Sequence, residues 1–291
     1  MQKTLFTSFC GLGLLASVGP AMAVPIYGLT ALGGLVSFDS STPGTTTVPV
    51  VISGLAAGES ILGIDFRPAT GQLYALGSAN RPYTINLATG AATQVGTDGL
   101  FTLSGSSFGF DFNPTVDRIR LTSDTEQNLR LNPSTGGVAA TDTSLAYAAG
   151  DANAGANPNV IGSAYTNNFA GATTTTLYGI DSVLDILVTQ NPLNSGTLNT
   201  IGALGFNFGS IGGFDIYDPT DAGAPMAFAV SGSSFFTINL GTGAATLVGT
   251  VGSGTSLIGI SAAILAVPEP FSLGLSAIAL AALGWSRRGR A

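Results

Sequence analysis

INLATGAATQVGT, residues 85–97, and INLGTGAATLVGT, residues 238–250, differ at only two positions, Ala88 against Gly241 and Gln94 against Leu247. So close a copy within one chain marks an internal repeat, and each copy closes a longer unit. The first unit reads as four short strands: Gly63-Ile64-Asp65-Phe66, Leu73-Tyr74-Ala75-Leu76, Thr84-Ile85-Asn86-Leu87 and Ala92-Thr93-Gln94-Val95. Between them stand Arg67-Pro68, Thr70-Gly71, Arg81-Pro82 and Thr89-Gly90, which supply turns through the fixed φ of Pro and the positive φ open to Gly.

The unit recurs from Gly109-Phe110-Asp111-Phe112, more loosely from Gly162-Ser163-Ala164-Tyr165, and again from Gly213-Phe214-Asp215-Ile216. A repeat of roughly 40–50 residues points to a propeller or a solenoid. The fifth unit, opening at Gly259-Ile260-Ser261-Ala262, stops after one strand. Its missing strands lie at the other end of the chain, in Tyr27-Gly28-Leu29-Thr30, Leu35-Val36-Ser37-Phe38 and residues 45–50. Head and tail completing one blade is what a closed ring requires, because closure leaves no blade edge free to aggregate.

The expectation is an all-β β-propeller over residues 24–265, with five four-stranded blades closed by the N- and C-terminal strands in one blade. A six-bladed ring, with residues 101–107 or 144–160 contributing strands, is the competing arrangement. The G-[IF]-D-[FI] and A-T-G-A-A-T elements resemble those of a family of secreted bacterial propeller-like proteins grouped only as a domain of unknown function. The third unit departs from that pattern at Ala164. The resemblance implies a fold and a compartment, and no chemistry.

Both ends read as sorting signals. Residues 1–23 hold one cation, Lys3, an apolar run, and Ala21-Met22-Ala23, the A-x-A cleavage site of a secretory signal peptide. Its removal takes away Cys10 and the only lysine, so the mature chain carries neither thiol nor disulfide. Residues 266–291 contain Val267-Pro268-Glu269-Pro270, an apolar run suited to a transient transmembrane helix, and Arg287, Arg288 and Arg290. Motif, apolar helix and basic cluster in this order resemble the PEP-CTERM sorting signal of Gram-negative bacteria. That resemblance implies an inner-membrane exosortase as partner, transient anchoring, and release to the cell surface or exterior.

Charge and composition restrict the chemistry. Five arginines in residues 24–266 face fifteen Asp and Glu, a balance that repels phosphate backbones and excludes nucleic acid as a partner. No histidine is present, which removes Ser-His-Asp and Cys-His catalysis and imidazole metal sites. Asp65, Asp111 and Asp215 hold the same place in three units. They either converge on the central channel, where they could hold a cation, or accept backbone N–H bonds where each strand enters its turn; Ala164 and Ser261 break the ring. Asp151, Asn153 and Asn157 alternate as in a calcium loop, but the Gly falls early and Gly162 stands where a closing Glu belongs. No cofactor is assigned, calcium being the one candidate.

Glu59 and Glu126 could pair with an Asp as a glycosidase acid and base, yet read better as solvated surface carboxylates. Arg118, Arg120 and Arg130 beside Asp117, Asp124 and Glu126 suggest a cross-strand ion network or a contact for an anionic sugar. No catalytic residue is assigned. The expected function is that of an exported, non-catalytic surface or extracellular-matrix propeller, with extracellular polysaccharide as a partner. The alternatives are a secreted polysaccharide-acting enzyme and a calcium-dependent glycan-binding module.

Overall fold

A computed structural model describes residues 23–220 and 224–264. Ala21 of the leader and the whole tail, with Val267-Pro268-Glu269-Pro270, its apolar run and Arg287, Arg288 and Arg290, lie outside the described residues. Among the described residues there is no helix; they form strands, turns and loops.

Five sheets stand around one axis. Blade one comprises Ile61–Arg67, Gln72–Gly77, Arg81–Ile85 and Ala92–Gln94, each antiparallel to the next. Blade two runs Phe108–Asn113, Arg118–Ser123, Asn128–Leu131 and Val138–Thr141, and blade four Gly212–Tyr217, Met226–Ser231, Ser234–Ile238 and Ala245–Thr250. Blade three, Val160–Tyr165, Leu177–Asp181, Ile186–Gln190 and Thr197–Ala203, adds at its rim the two-residue strand Ala146–Tyr147, parallel to Thr197–Ala203. Residues 144–160 therefore widen a blade instead of starting a sixth, and residues 101–107 form no strand.

Blade five is built from both ends of the chain. Its inner strand, Leu257–Ala262, pairs antiparallel with Pro25–Thr30 in the register Ile26 to Ala262, Tyr27 to Ser261 and Gly28 to Ile260. Gly34–Asp39 and Val50–Val51 complete the sheet. The five inner strands follow one another around the axis and the last returns to the first.

Burial falls from axis to rim. Ile61–Arg67 is covered on both faces by neighbouring blades, while Ala92–Gln94 is half-buried at Ala92 and Gln94 and exposed at Thr93. Apolar clusters fill the spaces between blades: Ile26, Val36 and Phe38 of blade five pack on Phe228, Val230 and Phe235 of blade four, and Tyr74 and Leu76 of blade one on Phe110 and Phe112 of blade two.

The repeated N-x-x-T-G turn also serves this stacking. Asn86, Asn132 and Asn239 each accept backbone N–H bonds two and three residues on, at 2.9–3.4 Å. The glycine that follows, Gly90, Gly136 or Gly243, has φ between +72° and +80°. It lies against the neighbouring blade's Val51, Val95 or Gly202 carbonyl, so closely that a Cβ would come within 2.2–2.4 Å of that oxygen. The two stretches that reveal the repeat are thus inter-blade clasps.

The leading glycines Gly63, Gly109, Gly162, Gly213 and Gly259 let inner strands crowd the axis. A Cβ on Gly213 would lie 2.5 Å from the Ile260 backbone nitrogen, whereas one on Gly259 would meet nothing nearer than 3.8 Å. Gly213→Ala is expected to destabilise the domain by about 3 kcal/mol or more, because the clashing atom is backbone. Gly259→Ala should stay within about 1 kcal/mol of the parent. Urea unfolding of the two variants checks the contrast; equal losses would contradict the crowding argument.

Candidate functional site

Two residues beyond the glycine ring, each inner strand turns a side chain to the axis: Asp65, Asp111, Ala164, Asp215 and Ser261. The registers make these positions equivalent, since they face Tyr74, Arg120, Tyr178, Phe228 and Tyr27 across the first ladder of their blades. All three aspartates are buried, and one oxygen from each lies within 4.8 Å of the others.

Their hydrogen bonds run from blade to blade. Asp65 Oδ2 accepts the Phe112 N–H of blade two at 2.7 Å, Asp111 Oδ1 the Tyr165 N–H of blade three at 2.9 Å, and Asp215 Oδ2 the Ala262 N–H of blade five at 2.6 Å. Ser261 continues the series, its hydroxyl oxygen accepting the Phe66 N–H of blade one at 3.2 Å. That hydroxyl also faces Asp65 Oδ1 at 2.9 Å and Asp215 Oδ2 at 3.2 Å, sharing its proton between them.

Only Ala164 interrupts the ring. Opposite it, the Ile216 N–H turns to its own residue's neighbour, Asp215 Oδ1, at 2.6 Å. Two sequence expectations are corrected here. The donors belong to the next blade, not to the turn that follows each strand, because adjacent inner strands approach closely enough for side chain to reach backbone. Ser261 carries the ring on, since a hydroxyl can stand where a carboxylate does.

Three carboxylates this close cannot all carry charge in a dry interior. Burial, then the Asp215 charge, pushes Asp65 well above the ordinary carboxylate range; burial, then the charges of Asp65 and Asp215, does the same to Asp111. Burial raises Asp215 to about 6, the backbone donors Ala262 and Ile216 holding it lower than its partners. The group therefore retains protons near neutrality, or a cation takes their place. Among the described residues these three aspartates are the group whose oxygens could share a metal ion.

Access to the group is narrow. The glycine ring encloses a void of about 20 Å³, room for a single water. Outside it a mouth of about 160 Å³ is lined by Leu62, Phe108, Ile161 and Ile258.

The remaining candidates are dispersed. Arg120, with 0% of its side chain exposed, uses all five guanidinium donors: Tyr165 Oη, Asn128 Oδ1, Asp142 Oδ2, the Leu193 carbonyl and Asn194 Oδ1, at 2.6–3.2 Å. It staples blade two to blade three, where Thr122 and Ser163 hydroxyls also meet at 2.7 Å. Arg130 grips Asp142 through Nε and Nη2 at 2.9 and 2.8 Å, and these charge-assisted bonds hold the Asp142 carboxyl below its ordinary value against the opposing effect of burial. The ion network is present, but its acid is Asp142, which the sequence reading missed.

Glu59 is not a solvated carboxylate. Its side chain is 1% exposed, accepting from Tyr83 Oη at 2.6 Å and the Ala79 N–H at 3.1 Å. Glu126 accepts from Asn157 Nδ2 at 2.9 Å. Asp151 binds the Thr200 N–H at 2.6 Å and hydroxyl at 2.7 Å, and the Asn153 N–H at 2.9 Å, fixing the 151–159 excursion to the rim of blade three.

Fold and site define a five-bladed β-propeller with a ring of buried carboxylates at its axis. The chain belongs to the family described as domain of unknown function (DUF4394), which matches residues 34–261. A comparison with curated proteins gave no match.

Proposed function

We infer that this propeller is exported and works outside the cell as a non-catalytic binding scaffold. The observation that carries the non-catalytic part is the employment of its reactive side chains. Asp65, Asp111 and Asp215 join blade to blade, Arg120 and Asp142 staple blades two and three, and Glu59 is closed in on Tyr83. Acid–base hydrolysis asks for two carboxylates free to meet a substrate in one cleft, and these groups are spent on the fold.

Export rests on the sequence: the Ala21-Met22-Ala23 site, and a tail in which Val267-Pro268-Glu269-Pro270, an apolar run and Arg287, Arg288 and Arg290 resemble a PEP-CTERM signal. On this reading an inner-membrane exosortase is the partner that processes the tail. Mass spectrometry of the extracellular protein is then expected to find a chain beginning at Val24 and ending near Val267. Extracellular peptides containing Arg290 would refute processing of the tail. Turnover of any polysaccharide, abolished by Glu126→Gln with binding retained, would refute the non-catalytic role.

A further inference from the structure

We propose that the cleft beside the channel mouth, walled by Ser106, Asp124, Asn159, Ser182, Val183 and Ile211, binds a neutral sugar residue of a glycan. The proposal deepens the extracellular scaffold reading and rests on it. The cleft has a volume of about 360 Å³, within the range of small-molecule sites. Through Ser106, Ser107, Ser210 and Ile211 it is continuous with the apolar mouth.

Its walls are fixed in advance. Ser107 Oγ donates to the Ser210 carbonyl at 2.9 Å, tying the loop before the inner strand of blade two to the loop before that of blade four, across blade three. Asp124 accepts the Ser106 N–H at 2.9 Å through Oδ1 and the Ser106 hydroxyl at 2.6 Å through Oδ2. Ser182 Oγ donates to Asn159 Oδ1 at 2.8 Å. Such a site loses little freedom when it is filled.

Hydrogen-bonding capacity remains. Each Asp124 oxygen keeps a lone pair for a ligand hydroxyl, the Ser182 oxygen can accept, and the Asn159 amide, only weakly held by the Asp124 carbonyl at 3.4 Å, can donate. Donors and acceptors so interspersed suit adjacent hydroxyl groups.

Charge and shape narrow the class. No Lys or Arg lines the cleft, so a uronate or phosphate would face Asp124 without a counterion. No aromatic ring lines it either, so a flat ligand has nothing to stack on. Val183 and Ile211, 67% and 60% exposed, offer branched aliphatic surface to the C–H face of a pyranose.

An array of neutral, amino and uronic oligosaccharides, probed with the full purified chain and with Ile211→Glu and Ser182→Ala variants, tests the assignment. The expected result is retention of neutral oligosaccharides, weakened at least tenfold in each variant while the melting temperature stays unchanged. Retention of only amino or only uronic sugars would overturn the ligand class. Unchanged binding in both variants would overturn the location, and no binding by the parent chain would overturn the proposal. None of these outcomes touches export or the absence of turnover, which the secreted fraction and product analysis read separately.

Discussion

A chain ending at residue 256 is expected to lose the unfolding transition of the entire ring, by comparison with one ending at residue 264. The strand removed, Leu257–Ala262, is the inner strand of blade five and pairs only with the opposite end of the chain. With it go the buried side chains of Leu257 and Ile260, each worth about 1.5–3 kcal/mol. The Ser261 acceptor for Phe66 and the Ala262 donor to Asp215 are lost as well, leaving buried polar groups unpaired at a further 1–3 kcal/mol each, roughly. Together these losses rival the whole stability of a typical domain, about 5–15 kcal/mol. Thermal denaturation with amide exchange distinguishes the outcomes. A sharp transition near the parent temperature, with fast exchange confined to residues 24–51, would show that four blades stand alone.

Rising pH is expected to weaken this protein across the acid-to-neutral range, in which most proteins gain stability as pH rises. An aspartate whose folded pKa is raised binds its proton more tightly in the native state. Its contribution is complete below the unfolded value near 3.8 and is lost as pH climbs through the folded value. For Asp215 that window runs from about 4 to about 6, and a two-unit shift corresponds to about 3 kcal/mol. Asp65 and Asp111, held well above their ordinary range, carry the loss further up the scale.

Asp142 and Asp151 are shifted the other way, so their contribution fades only as pH falls toward and below the ordinary value of 3.8. In chelator, the melting temperature should therefore fall steadily between pH 4.5 and pH 8, and Asp111→Asn should flatten the curve. A divalent ion bound by the three aspartates would restore the melting temperature at pH 8. Stability that rises with pH in chelator would contradict the proton-sharing account.

Most of the fold was legible because its determinants are local and recur. Gly and Pro mark the turns, the glycine-led strand openings recur five times, and the fifth unit visibly lacks the strands found at the head of the chain. Residues 144–160 could be read as contributing strands, but the place of Ala146–Tyr147 at the rim of blade three was not legible, since two residues in parallel pairing leave no alternation to read. At the axis, equivalence of Asp65, Asp111 and Asp215 could be read, but not their bonds to Phe112, Tyr165 and Ala262, since these depend on the spacing between blades. Glu59 misled for a similar reason. Its exposed-looking neighbourhood is closed by Tyr83, 24 residues away, and nothing in the intervening sequence announces the contact.

The shared blade also imposes an order in time. Of the described strands, Pro25–Thr30 is made first and its inner neighbour, Leu257–Ala262, last. Contacts this distant in sequence form slowly, and while they are missing the faces of Ile26 and Phe228 that meet in one cluster have incomplete cover. The ring can therefore shut only once Leu257–Ala262 has left the ribosome, and until then its closing blade lacks an inner strand. A propeller whose blades were each continuous in sequence could begin to finish itself one blade at a time; this one withholds its final seam until the last strand arrives.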